Sequence, residues 1–322
     1  MNRKRWTALL KVLVSVALIG LLLTQIGFQQ VVEVFAKARL EYWLLGLTMF
    51  LLGIVIKTFR WQVLLEALEI HISAAELLQL NFIGFLFNNI LPSGIGGDVV
   101  KMYELSKDSR QSAESVNAVF VDRVVGLVVA QFLALVAALI AYRMVSTEVL
   151  FVTLALFLGS LLAMWMLVQE SVWEAILQRV PFLNAWQDGR FVDKIRRLYK
   201  TFRRYDTSSI VKALLISLIF NATLVLSNYF VGLALGVKIS MLYFWVFVPI
   251  TSVVTMIPIS LNGLGVREMG YVTLFTQTGV PQEVAFSMSL SFYAFTVISG
   301  VIGGIFYIMR GARGYLTKEA RG

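Results

Sequence analysis

Six stretches of this sequence stay apolar for longer than the core helix of a water-soluble domain requires. They run over about 8–28, 40–59, 117–141, 149–169, 210–235 and 283–309. Crossing the hydrocarbon of a bilayer takes roughly 20 mostly apolar residues, because about 30 Å must be covered at 1.5 Å per residue. Composition agrees. Of the 322 residues, 58% are hydrophobic and 15% charged, against about 45–50% and 25% in soluble domains. The expected fold class is an all-α polytopic membrane protein: about six full spans, plus two interrupted apolar segments over about 77–100 and 241–279. The whole chain, 1–322, is expected to form a single transmembrane domain.

Basic residues lie mainly between the apolar runs, so the net charge of +9 reads as positive-inside topology and not as a nucleic-acid surface. The N-terminus carries Arg3, Lys4 and Arg5 before an apolar run without a small-residue cleavage site, and reads as an uncleaved first span. Lys57 and Arg60 close the second span on this reading. Arg60 is then an interfacial cation snorkelling beside the aromatic Trp61. Lys101, Lys107 and Arg110 follow the first interrupted segment, eight Lys or Arg crowd residues 178–204, and Arg310, Arg313, Lys318 and Arg321 end the chain. Placing these regions in the cytoplasm puts both termini there, in a plasma (inner) membrane.

Parity then constrains the interrupted segments. Segment 77–100 must enter and leave from the cytoplasm, and segment 241–279 from the outer face. Two re-entrant helical hairpins of opposite orientation result, the plan of an inverted repeat, with halves at about 40–141 and 210–309. Over 191–205, Phe191, Ile195, Leu198, Tyr199 and Phe202 fall at helical spacing among Lys and Arg. This is the pattern of a basic amphipathic helix within the segment 178–205, anchored on an anionic membrane surface.

The interrupted segments concentrate the residues that can carry chemistry. The first reads Asn88-Asn89-Ile90-Leu91-Pro92-Ser93-Gly94-Ile95-Gly96-Gly97-Asp98, then Lys101. The second holds Asn262-Gly263-Leu264-Gly265-Val266-Arg267-Glu268. Irregular backbone inside a bilayer leaves polar groups without partners unless it is packed in protein or lines a wet cavity. Gly94, Gly96 and Gly97, with Gly263 and Gly265, permit sharp turns and close approach of amides to a ligand. Asn88, Asn89 and Asn262 can satisfy freed backbone groups or bond a polar headgroup. A charge at the bilayer centre costs at least about 2.5–3.5 kcal/mol on insertion scales, so it pairs or lines a functional path. Asp98, Lys101, Arg267 and Glu268 are therefore binding candidates, with Arg267 able to hold a phosphate bidentately and Glu268 to orient it. Asp122 and Arg123, which begin a span, are binding candidates on the same ground, with a structural pair or interfacial charges as the alternative.

Other chemistries lack their residues. With no Cys there are no disulfides, thiol nucleophiles or Cys-based metal sites. The single His71 reads as a surface residue. Nucleophile elbow, P-loop, dinucleotide fingerprint and His-based acid/base pairs are all missing. No metal, cofactor or nucleic-acid partner is expected, and the chain reads as a non-enzyme. Homo-oligomerisation is left open.

Taken in order, Pro92 to Lys101, Asp122-Arg123-Val124-Val125-Gly126 and Gly263 to Glu268 resemble the lysylphosphatidylglycerol synthase transmembrane-region family, over nearly the whole chain. The resemblance implies a flippase-like helical domain that moves or binds polar lipids, with aminoacylated phosphatidylglycerol the best-known cargo. It places Asp98, Asp122, Arg123, Arg267 and Glu268 at the family's polar positions. Asn262 stands where glycine is common and Lys101 where arginine is common. The aminoacyl-transferase domain of the larger relatives is not in this sequence, which implies a chain that does not synthesise the lipid. The expected function is a translocase or lipid-binding transporter for polar, anionic or aminoacylated phospholipids, with membrane phospholipids as partners. The alternative is an integral-membrane enzyme or accessory protein acting on headgroups, with Asp98 or Glu268 as base.

Overall fold

Backbone polar groups in hydrocarbon must be satisfied within their own segment, and the apolar runs accordingly become helices. The structure is a computed structural model that describes residues 3–91, 96–109, 111–169, 200–256, 260 and 262–319. Its helices are α1 (Arg3–Ile26), α2 (Phe28–Ala36), α3 (Leu40–Glu66), α4 (Ala74–Ile90), α5 (Gly96–Ser109) and α6 (Ser112–Ile140). They continue with α7 (Thr147–Val168), α8 (Thr207–Ala234), α9 (Met241–Met256), α10 (Val266–Phe275) and α11 (Gln282–Glu319), with a 3₁₀ turn at Thr276–Thr278. No strand occurs among the described residues. Five helices, α3, α6, α7, α8 and α11, are long and apolar enough to cross a membrane, and α1 with α2 adds a sixth as a bent pair.

Several boundaries differ from those expected. The first span ends at Gly27, where the chain turns by 79° into α2 instead of running straight to Phe28. Gly27 adopts φ 88°, a left-handed conformation that glycine tolerates best. The second span continues past 59 to Glu66, because Arg60 and Trp61 are buried and not interfacial. Residues 101–116 are not a loop: α5 runs to Ser109 and α6 starts at Ser112. Asp122 therefore sits ten residues into α6 and does not begin it. Gly94 and residues 178–199 of the expected amphipathic segment lie outside the described residues.

Both interrupted segments fold as antiparallel helical hairpins. In the first, α4 and α5 touch at Gly84 and Gly97, and Lys101 reaches back to Asn81. In the second, Phe244 and Phe247 of α9 meet Phe275, while Gly270 packs on Thr251 and Gly263 on Thr255. Pro249 inside α9 removes one helical hydrogen bond.

The chain divides into two compact units. The first comprises Met1–Val55, Leu78–Lys101 and Ala222–Gly322 and holds both hairpins. Its centre is aromatic: Phe50 lies against Phe85, Phe292 and Phe295, and Trp43 against Phe295. Small residues let its helices approach closely, the main source of cohesion where lipid is as apolar as the core. A Cβ on Gly303 of α11 would lie 2.0 Å from the Phe82 carbonyl oxygen of α4. Ser227 of α8 donates to the Gly46 carbonyl of α3 at 2.8 Å.

The second unit comprises Ile56–Leu77 and Met102–Asn221. Leu64, Val121, Val125 and Ala213 form its apolar core, and Ser146 caps α7 by accepting from the Val149 N–H at 3.3 Å. At its polar end Arg204 pairs with Glu69 at 3.4 Å and Glu114 at 3.5 Å. Asp206 accepts from the Ser209 N–H at 3.3 Å, and this hydrogen bonding with Ser209 holds its carboxyl below the usual range.

Candidate functional site

The first hairpin carries a buried ion pair just after its break. Asp98 lies in the first turn of α5, where a carboxylate faces the positive end of the helix dipole. Lys101, one turn on, approaches it at 3.0 Å and donates to the Asn81 side-chain oxygen at 3.3 Å. Asp98 and Lys101 are both at most 5% exposed. Lys101 is thus a hairpin residue and not a loop cation. Gly97 proves to be a packing glycine: a Cβ there would lie 2.0 Å from the Gly84 carbonyl oxygen. Its amide donates to Asn88 at 2.7 Å, so neither it nor that Asn88 oxygen awaits a ligand. Gly96 is buried in the same first turn.

In the second hairpin the break is built from left-handed residues, Asn262 at φ 45°, Gly263 at φ 77° and Gly265 at φ 85°. Gly265 also packs against Leu18 of α1, 2.6 Å from where its Cβ would stand. Glu268, three residues on, reaches back to accept from the Gly265 N–H at 2.5 Å, which caps α10 as a third-position carboxylate does in a capping box. Its other oxygen accepts from the Ser289 hydroxyl at 2.9 Å and from Arg267 Nη2 at 3.0 Å. Arg267 Nε donates to Ser289 at 3.1 Å. Glu268, wholly buried, is thereby committed on both oxygens. Arg267 keeps a small exposed fraction, 8%, and its Nη1 makes no hydrogen bond among the described residues. Its guanidinium lies over Tyr293 at 5.2 Å and Phe292 at 6.0 Å. One turn further, Tyr271 donates to Asn228 of α8.

The hairpin tips meet. Asn262 Nδ2 donates to Asn89 Oδ1 at 3.3 Å, and Asn89 Nδ2 donates to the Thr296 carbonyl of α11 at 3.0 Å. Thus Asn89 and Asn262 come together, while Asn88, Gly96, Gly97, Asp98 and Lys101 cluster within the first hairpin and Gly263, Gly265, Arg267 and Glu268 within the second.

Asp122 belongs to a different cluster, in the second unit. Arg60 Nε donates to Asp122 at 2.6 Å and Nη1 to Ser217 at 3.0 Å, with the guanidinium 5.3 Å from the Phe220 ring centre. Arg60 is only 2% exposed. Space for it exists because residue 126 is glycine: a Cβ there would lie 2.7 Å from Nη1. The snorkelling reading of Arg60 is therefore wrong, since its charge is neutralised inside the protein and has no need of water. Arg123, the next residue along α6, is half-buried. Beside this cluster, burial first and the Asp122 charge second push the Tyr205 phenol well above its ordinary value.

Arg60, Asn81, Ser217, Asn228, Tyr271 and Ser289 were not among the expected site residues. Most carry one signal in sequence, a polar side chain inside an apolar run, which is costly in hydrocarbon unless it is partnered.

Comparison with known proteins identifies the family. The family model described as lysylphosphatidylglycerol synthase TM region matches residues 8–304. A UPF0104 membrane protein of Pyrococcus horikoshii is 24% identical over 319 residues, covering 91% of this chain and 95% of that protein. One from Methanothermobacter thermautotrophicus is 25% identical over 302 residues, 86% and 87% of the two chains. A third, from Methanocaldococcus jannaschii, is 26% identical and covers 69% of this chain and 93% of its own. The chain is a multi-pass membrane protein of the lysylphosphatidylglycerol synthase TM region family.

Proposed function

We propose that this protein binds polar phospholipid headgroups and passes them across the membrane, with the acyl tails left in lipid. The observation that carries the reading is a pair of broken hairpins, each with a buried, net-neutral ion pair beside its break, joined through Asn89 and Asn262. Buried charges within apolar segments are costly unless they serve a pathway or a fold. Here they sit where the backbone is already irregular. Arg267 supplies the anion-binding arm through Nη1, which makes no hydrogen bond among the described residues and can donate to a phosphate oxygen, while Nε and Nη2 stay on Ser289 and Glu268. Asp98 and Lys101 form the complementary arm, and the amides of Asn89 and Asn262 supply neutral donors and acceptors. Because each pair is neutral as it stands, the site favours a headgroup carrying both signs over a bare anion.

The commitment of both Glu268 oxygens, and the pairing of Asp98 with Lys101, support a binding role over a general base. Basic residues on alternate connections support cytoplasmic termini in a plasma membrane.

The test is a proteoliposome assay with headgroup-intact fluorescent lipids, zwitterionic and anionic, scored by the fraction accessible to an external quencher over time. Wild-type protein is expected to speed exchange of the zwitterionic lipid above that of protein-free vesicles. Arg267→Ala should abolish the gain and Arg267→Lys restore part of it. Equal rates for wild type, Arg267→Ala and empty vesicles, across the lipid panel, overturn the proposal.

A further inference from the structure

The nine-residue helix α2 is too short to span a membrane by itself and too apolar on one face to stand in water. Counted from Trp6, after its three basic residues, α1 covers about 31 Å at 1.5 Å per residue, close to the hydrocarbon thickness, while the nine residues of α2 add only about 14 Å. The 79° turn at Gly27 takes α2 out of the direction of α1. If α1 crosses the bilayer, α2 runs close to the membrane plane.

Its faces are sorted for that position. With 3.6 residues per turn, Phe28, Val32 and Phe35 fall in an arc of about 60°, and Gln29, Gln30 and Glu33 in one of about 100° on the other side. Val31, between them, is buried against Leu22 and Ile26 of α1 and Phe286 of α11, which fixes the rotation of the helix. The apolar arc is left outside: Phe28 is 70%, Val32 48% and Phe35 38% exposed. Exposed apolar residues also mark α1, at Leu13, Val16 and Leu21, and the exposed polar Thr24 and Gln25 lie between them and Phe28. Exposed Lys37 and Arg39 follow directly.

We infer that α2 is an interfacial helix. It lies in the headgroup layer at the end of α1 opposite Arg3, Lys4 and Arg5, with Phe28, Val32 and Phe35 inserted among the acyl chains and Gln29, Gln30 and Glu33 toward water. Its occupant is the bilayer surface itself, because an exposed apolar arc and an exposed polar arc stand back to back on a short helix bent away at the end of a span and followed by two cations. A helix sorted in this way settles at the boundary between headgroups and acyl chains. Through Val31 and Phe286 it ties that leaflet to the start of α11.

The chain has no Cys, so single cysteines can be introduced at the exposed positions 28, 29, 30, 32, 33 and 35 of the full-length protein. Spin labels there, in vesicles of phosphatidylethanolamine and phosphatidylglycerol, are expected to give several-fold higher ratios of oxygen to nickel-chelate accessibility at 28, 32 and 35 than at 29, 30 and 33. In the unaltered protein, a lipid carrying a diazirine high on its acyl chain should label Phe28, Val32 and Phe35 and spare the polar three. A ratio that changes steadily along the helix would show a continued span. Low accessibility to both reagents at 28, 32 and 35, without carbene labelling, would show a second protein copy on this face. Either result overturns the inference.

Discussion

At the scale of single residues, the most informative contact is Arg60 with Asp122. Both are buried in the second unit, and Gly126 and Ser217 complete the space and the hydrogen bonding. Desolvation opposes burying each charge, and the pair recovers that loss only when both partners are present. Asp122→Ala or Arg60→Ala alone is expected to lower stability by about 3–5 kcal/mol, read as a drop in detergent unfolding midpoint. The double variant Arg60→Ala with Asp122→Ala should fall well short of the sum of the two single losses, and losses that simply add would show the two residues to be uncoupled. Glu268 differs because its carboxylate also caps α10. Glu268→Gln keeps an acceptor for Gly265 but removes the charge that balances Arg267. The protein should stay folded while its co-purified lipids, identified by mass spectrometry, shift toward anionic headgroups. An unchanged lipid profile would separate Glu268 from headgroup choice.

Among the elements, the α4–α5 hairpin depends on one backbone-to-backbone approach. Gly97→Ala places a methyl 2.0 Å from the Gly84 carbonyl, whereas Gly84→Ala meets the flexible Lys101 stem at 3.2 Å and the Gly97 carbonyl oxygen at an ordinary 3.5 Å. Backbone cannot yield as a flexible side chain does. Gly97→Ala should therefore cost about 1–3 kcal/mol or more, the usual range for overpacking, and Gly84→Ala clearly less; comparing thermal midpoints of the two variants checks the order. The α8 helix makes a pH-dependent prediction. Hydrogen bonding to Ser209 lowers the Asp206 pKa in the folded state. Its capping contribution is thus complete above the ordinary carboxylate range and fades as pH falls through the lowered value. Amide exchange at Ser208 and Ser209 should rise on acidification in wild type and be pH-insensitive, beyond intrinsic chemistry, in Asp206→Ala.

For the whole molecule, hydrophobic length alone was enough to give the fold class and the membrane setting. A run of twenty apolar residues has one stable solution in hydrocarbon, a helix; α6, α7 and α8 lie within a few residues of their expected bounds, and α11 starts where expected but runs on past 309 to Glu319. The two broken segments were also legible, because Gly, Pro and Asn interrupt a pattern that is otherwise apolar. Charges were harder to place. Lys101 and Arg60 look like span ends in one dimension, since a cation beside an apolar run normally reaches for water. Asp98 stands three residues from Lys101 on the same helix, but only tertiary structure brings Asn81 to Lys101 and Asp122 and Ser217, far along the chain, to Arg60. The turn at Gly27 was hidden for a related reason: its consequence depends on Phe286 of α11 receiving Val31. The sequence by itself determined that the chain lives in the bilayer as helices, because that is decided by local hydrophobicity and length. The three-dimensional fold decided which charges are neutralised inside it and which glycines are contacts, because those depend on partners that only packing supplies.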